Sequence, residues 1–304
     1  MKNLNKLVTL SALLLIGTAS LSAYAGEKER HLPISTKSEA AKLSYHDALD
    51  RIANADINGY NTKIEAALKA DPQCFIAHAH RSLAAASNTK NEKTGTLISA
   101  TLLLPQDNLT PAEKIIRKML VQIQTNLKNS DKSSIKSSGD AGETSASASV
   151  NKTDKGNKNS TALKPLCDEL VTTYPNNIEA FETAIAVCRF IDDNPDNAVA
   201  YTERLIKIEP NYAPAYNTLG YYWMEKGNME KAGEAFSNYM RLSPNEANSH
   251  DSMGDYLMKS GRFDEAANHY DKAVSLGMES SRERSEKARN MAKGIEPADP
   301  EMEK

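Results

Sequence analysis

The sequence predicts an all-α protein built from stacked helical hairpins, and three observations carry that expectation. Between Glu179 and Gly277 the chain repeats itself every 34 residues, so that Gly220 recurs as Gly254, Ala232 as Ala266, Gly227 as Gly261 and Leu242 as Leu276. Glycine and proline punctuate segments of helical spacing, and alternating β-branched runs are absent. A fixed period of this length marks units that cannot bury their apolar faces alone and therefore stack on one another.

Taken in order, the chain opens with the pattern of an export signal. Lys2 and Lys6 precede the mostly apolar run Leu7 to Leu15, and Ala23-Tyr24-Ala25 is a small-x-small cleavage site. The apolar run is short for a membrane-spanning helix. Cleavage after Ala25 into a periplasm or the exterior is therefore expected, with an uncleaved N-terminal anchor as the alternative. Removing two lysines and no acid takes the formal charge from -3 to -5. That mild acidity, without a basic patch, argues against nucleic acid or an anionic membrane surface as partner.

Five helices follow, over Ser38–Asn54, Tyr60–Lys69, Phe75–Ser87, Lys93–Leu104 and Pro111–Leu127. Thr110-Pro111-Ala112-Glu113 is a helix start with a capping hydroxyl, a first-turn proline and a glutamate three residues after the cap. From Asn129 to Ser160 the composition is mostly Ser, Lys, Asp, Gly, Thr, Asn and Ala, too polar to offset the entropy of ordering, so disorder is expected. Because Pro111–Leu127 and Ala162–Tyr174 read as the two helices of one hairpin, the segment is expected as an insertion in their turn. A linker between independent domains is the alternative.

The repeated residues have separate physical reasons. Gly220, Gly254 and Ala186 sit where a first helix approaches a second closely, with Ala198, Ala232 and Ala266 as the small partners. Gly227 and Gly261 fall between helices, where a left-handed residue costs glycine no strain. Pro210 and Pro244 stop a second helix. Leu219, Phe236, Tyr239, Met253 and Tyr270 fill the space between hairpins. Finally, Ser280 to Gly294 reads as a polar capping helix and Ile295–Lys304 as an acidic tail.

The stretch AYNTLGYYWMEKGNMEKAGEAFSNYMRLSP, from Ala215 to Pro244, and its successor HDSMGDYLMKSGRFDEAANHYDKAVSLG, which lacks the final proline, resemble the tetratricopeptide repeat (TPR). The resemblance implies a right-handed superhelical solenoid of helix-turn-helix hairpins. The division then runs 1–25 signal peptide, 26–128 degenerate hairpins, 129–160 insertion, 161–278 repeats (clearest over 179–278) and 279–304 cap and tail.

Catalytic chemistry is hard to place on this pattern. Ser249-His250-Asp251 has the letters of a triad, but consecutive helical residues point about 100 degrees apart and form no relay. His78 and His80, two apart, diverge in the same way, unlike zinc-chelating pairs. Phosphate loops, paired-cysteine metal motifs and nucleophile elbows do not occur. No enzyme, metal or cofactor is therefore expected. Cys167 and Cys188 fall on neighbouring helices, so either a disulfide or two buried thiols would fit there, and Cys74 has no evident partner.

The resemblance also implies that function lies on the concave face. Its groove positions here are Thr183, Val187 and Phe190, then Asn217, Tyr221 and Met224, then Asp251, Asp255 and Met258. The last six are the candidate partner-binding residues. With Asp251 and Asp255 where related grooves carry cations, the complement is a neutral or basic peptide with apolar anchors. The leading expectation is an exported interaction module. A self-associating structural solenoid, and a small-molecule receptor or enzyme with an unrecognised site, are the alternatives.

Overall fold

The computed structural model describes residues 30–88, 92–137 and 163–295. The expected signal peptide, most of the serine-rich stretch and the acidic tail lie outside them. The described residues are all-α and fall into two compact units. The N-terminal unit holds His31–Pro175 and Glu179–Thr202; the C-terminal unit holds Glu203 onward, with Asn176–Ile178 and Arg30.

In the N-terminal unit the helices are α1 (Glu39–Ala53), α2 (Ile57–Ala70), α3 (Phe75–Asn88), α4 (Glu92–Leu102), α5 (Pro111–Ser137), α6 (Lys164–Thr173) and α7 (Ile178–Ala186). A π-helical turn, Val187–Ile191, extends α7, and α8 (Pro195–Ile208) leads into the C-terminal unit. There α9 (Ala213–Glu225), α10 (Met229–Leu242), α11 (Ala247–Lys259) and α12 (Phe263–Ser275) precede a 3-10 turn at Glu279–Ser281 and the last helix, α13 (Arg282–Ala292). Neighbours pack as hairpins: α1 on α2, α3 on α4, α5 on α6, α9 on α10, α11 on α12, with α13 against α12.

The sequence repeat becomes a repeat of contacts. A β-carbon on Gly220 would come within 2.5 Å of the Phe236 ring, and one on Gly254 within 2.6 Å of the Tyr270 ring. Both rings are buried, so each aromatic lies where a side chain on the opposing helix would have to go. Gly227 and Gly261 take φ of +75° and +73° and end α9 and α11. The following N–H groups, of Asn228 and Arg262, reach back to the carbonyls of Trp223 and Leu257, each at 2.9 Å. Where the second repeat lacks its closing proline, Gly277 takes φ +103° and ends α12.

Three proline junctions are fastened alike. The carbonyl of Pro72 accepts from His78 at 3.0 Å, that of Pro210 from the Tyr216 hydroxyl at 2.9 Å, and that of Pro244 from His250 at 3.0 Å. The donor is always six residues on, in the first turns of the next helix. This shared device makes Asp71-Pro72 a junction of the same kind as the two clear ones.

Two elements differ from expectation. Helix α5 runs to Ser137, ten residues past the expected end at Leu127 and into the stretch expected to be disordered. Its first turns are nucleated by packing, and adding residues to an existing helix is cheap even for polar sequence. The π turn at Val187–Ile191 has no counterpart in the sequence reading. It bonds Asp192 N–H to the Val187 carbonyl at 2.9 Å and is followed by Asp193 at φ +50°. One extra residue per turn shifts the face of everything after it.

Candidate functional site

Each unit presents one surface on which a site could be built. In the N-terminal unit, residues His31–Ser38 run as a strap without helix before α1. Two buried carboxylates hold its backbone. Leu32, 2% exposed, donates its N–H to Glu179 at 2.8 Å, and Ser35 donates its N–H and hydroxyl to Glu113 at 3.1 and 3.0 Å. Glu113 also closes the expected capping box, accepting from Thr110 N–H at 2.8 Å while Thr110 Oγ1 accepts from Glu113 N–H at 3.2 Å. The Thr110 hydroxyl donates in turn to the Pro33 carbonyl at 2.9 Å.

Around Glu179 the first helices of the hairpins converge. Tyr45 of α1 donates its hydroxyl to the carboxylate, and His80 of α3 stands 4.0 Å from it. His31 of the strap lies 3.5 Å from it and stacks on His46 of α1, ring centroids 3.9 Å apart. Burial alone would raise Glu179, but the hydrogen bonds of His31, Tyr45 and Leu32 and the charge of His80 outweigh it and hold the carboxyl below its usual range. Burial likewise pushes His80 down, against the pull of Glu179. Glu179 is thus ringed by ionisable groups and held against the protein's own strap.

In the C-terminal unit an open cleft of about 420 Å³ is lined by Met224 of α9, Asp255, Met258 and Lys259 of α11, Tyr270 of α12, and Arg284 and Lys287 of α13. The two methionines form its apolar part. Behind them runs a polar network. Asp255 accepts from Tyr221 at 2.8 Å, from Tyr270 at 2.7 Å and from Arg284 at 3.3 Å. Arg284 also pairs with Asp251 at 2.8 Å, and Ser281 donates to the same carboxylate. Burial raises Asp251 in spite of Ser281 and Arg284. Burial, with Asp255 alongside, also raises the Tyr221 and Tyr270 hydroxyls, so both stay protonated as donors.

The predicted groove residues therefore divide. Met224, Asp255 and Met258 line the cleft. Tyr221 and Asp251 stand behind it, Tyr221 edge-on to Phe236 at 5.2 Å and Asp251 only 4% exposed. Asn217 is half-buried, and its Oδ1 takes no hydrogen bond from the described residues. Thr183 and Val187 are buried, whereas Phe190, within the π turn, is 53% exposed. Of the two carboxylates expected in the groove, Asp251 is buried on Ser281 and Arg284, and Asp255 lines the cleft while accepting from Tyr221, Tyr270 and Arg284. Lys259, Tyr270, Arg284 and Lys287 are cleft residues that sequence reasoning misses. Arg284 and Lys287 read there as part of a solvated cap, although their spacing of three places them on one helical face.

The Ser249-His250-Asp251 run disperses as helix geometry requires. Ser249 donates to the carbonyls of Ser243 and Glu246 at 2.6 and 2.8 Å, His250 shares a 3.3 Å contact with His269, and Asp251 faces Arg284. No group of three or more metal-capable side chains is assembled among the described residues, and none of their helices is long and apolar enough to cross a membrane.

Comparison with known proteins accords with this geometry. The family model for the tetratricopeptide repeat matches residues 247–276, the span of α11 and α12. Among curated proteins, none matches. Similar solved structures include TTC0263, a thermophilic TPR protein of Thermus thermophilus (14% identity over 82% of this chain and 99% of that one, TM-score 0.42). PilW, a widely conserved type IV pilus biogenesis factor, is 16% identical over 81% and 98%, with TM-score 0.42. MamA is 18% identical over 86% and 99%, with TM-score 0.33. Likenesses this distant say nothing of what this chain binds. The chain thus carries a tetratricopeptide repeat at α11 and α12, and the same glycine–aromatic contact recurs one period earlier.

Proposed function

We propose that this protein is an exported, non-enzymatic scaffold that docks a protein or peptide segment in the cleft between α9, α11 and α13. The observation that carries the reading is the pairing of an apolar floor, Met224 and Met258, with Lys259 and Lys287, whose ammonium groups make no ion pair among the described residues. Methionine adapts to irregular apolar partners, and cations at a rim select by charge. The complement is an apolar side chain flanked by carboxylates that reach Lys259 and Lys287, where the sequence suggested a neutral or basic segment. In the N-terminal unit, in contrast, the carboxylates of Glu113 and Glu179 hold the protein's own strap.

The proposal is tested by recovering partners of the wild-type protein beside a Lys259→Glu/Lys287→Glu variant. Selective loss of a partner from the variant is the expected result; equal recovery from both would sink the reading. Leu43, Ile52 and Ile57 are 67%, 42% and 62% exposed on the first hairpin and favour a second reading, self-association through that end. Dilution-dependent mass in sedimentation, abolished by Leu43→Glu, would distinguish it.

A further inference from the structure

Cys167 of α6 and Cys188 of the π turn bring their sulfurs to 4.0 Å inside the N-terminal unit. Both thiols are free and fully buried. They lie on α6 and on the π turn that extends α7, and a disulfide needs its sulfurs at about 2.05 Å, so the pair has about 2 Å to close. We propose that Cys167 and Cys188 are a disulfide-forming pair, joined by exchange with a disulfide-bearing oxidant while the hairpin folds. The two thiols lose two protons and two electrons, one sulfur–sulfur bond forms, and the oxidant's disulfide is reduced to two thiols.

The surroundings set when this can happen. The neighbouring thiol and burial both push Cys167 up, so the folded protein offers little thiolate for exchange. Bond formation belongs to the folding chain, and the closed bond is shielded from reductant afterwards. Its position gives it a use. Helix α6 is tied in sequence to its hairpin partner α5 only through residues 138–163, so the bond would fasten α6 to the next hairpin independently of that long connection. Cys74 makes no such pair; its thiol is raised by burial to about 11.

The inference goes beyond the docking proposal and does not depend on it. It does bear on export, since such bonds persist in oxidising compartments. The test is refolding of the full chain in a buffer of reduced and oxidised glutathione, followed by denaturation without reductant, maleimide labelling and mass analysis. The expected product carries one label, on Cys74, and a cross-linked pair of peptides lighter by two hydrogens. Three labels would overturn the proposal. The oxidised protein should melt roughly 5–10 °C above the same sample treated with dithiothreitol after opening, a shift absent from Cys188→Ser. Labelling protein taken directly from cells reports on export alone, because the glutathione experiment does not involve location.

Discussion

The Tyr221 hydroxyl donates to Asp255 at 2.8 Å across a spacing of 34 residues, one full repeat. The contact ties equivalent positions of successive hairpins, and Arg284 from the last helix completes it by bridging Asp255 and Asp251. The capping helix is therefore wired into the repeats by charge as well as by apolar cover.

Removing that bridge should be costly. Arg284→Ala leaves Asp251 buried beside Asp255 without a cation, and we expect a loss of roughly 2–4 kcal/mol by urea denaturation at neutral pH. Asp251 is already raised in the folded state, so the folded form binds its proton more readily than the unfolded chain. Such a contribution is complete below the unfolded carboxyl pKa and is lost as pH rises through the folded one. The variant should therefore regain stability as pH is lowered toward about 4, near the ordinary carboxyl value, and Asp251→Asn should rescue it at neutral pH.

Glycine at 254 is a packing requirement. Gly254→Ala places a methyl group against the buried Tyr270 ring, and we expect a loss of about 1–3 kcal/mol despite alanine's better helix propensity. Gly95→Ala in α4, where a β-carbon meets nothing within 4 Å, should be neutral or stabilising by about 0.5–1 kcal/mol. Equal effects at both sites would contradict the close-approach account.

Acid should loosen the N-terminal unit in two stages. His80 is held below its ordinary value, so its contribution is full above about pH 6.5 and declines as pH falls below that. Glu179 is also held down; its contribution is full above about pH 4.3 and is lost as pH falls through the folded value. Melting followed from mildly alkaline to strongly acidic pH should show both declines, and His80→Phe should remove the first and weaken the second, because the charge of His80 helps to hold Glu179 down.

Strap attachment rests on Glu113. Glu113→Ala removes the acceptor for two Ser35 donors and for Thr110 N–H at once, and we expect about 2–3 kcal/mol of destabilisation. Amide hydrogen exchange at Leu32 and Ser35 should quicken before exchange in α1 does. Unchanged protection at those amides would refute the strap's dependence on the carboxylate.

The elements legible in the sequence are those whose signal is local or periodic. Gly220, Gly254, Gly227 and Gly261 announce close approach and turns because only glycine satisfies either, and Thr110 with Glu113 announces a helix start. Long-range uses of the same residues are not legible: nothing adjacent in sequence ties Glu113 to Ser35, or Glu179 to Leu32, 147 residues away. The groove is half visible. Met224 and Met258 line the cleft, but its charge comes in part from Arg284 and Lys287, outside the repeat. The π turn at Val187–Ile191 leaves no mark in composition.

The docking claim is tested most directly by photo-crosslinking in the native cell. A photoreactive amino acid replaces Met258 in the cleft, or Glu234 on α10, away from the cleft, as control. The account predicts one dominant adduct from position 258, absent from position 234 and lost when Lys259→Glu/Lys287→Glu is added. Adducts of equal yield from both positions, or an adduct at 258 indifferent to the charge reversal, would contradict it.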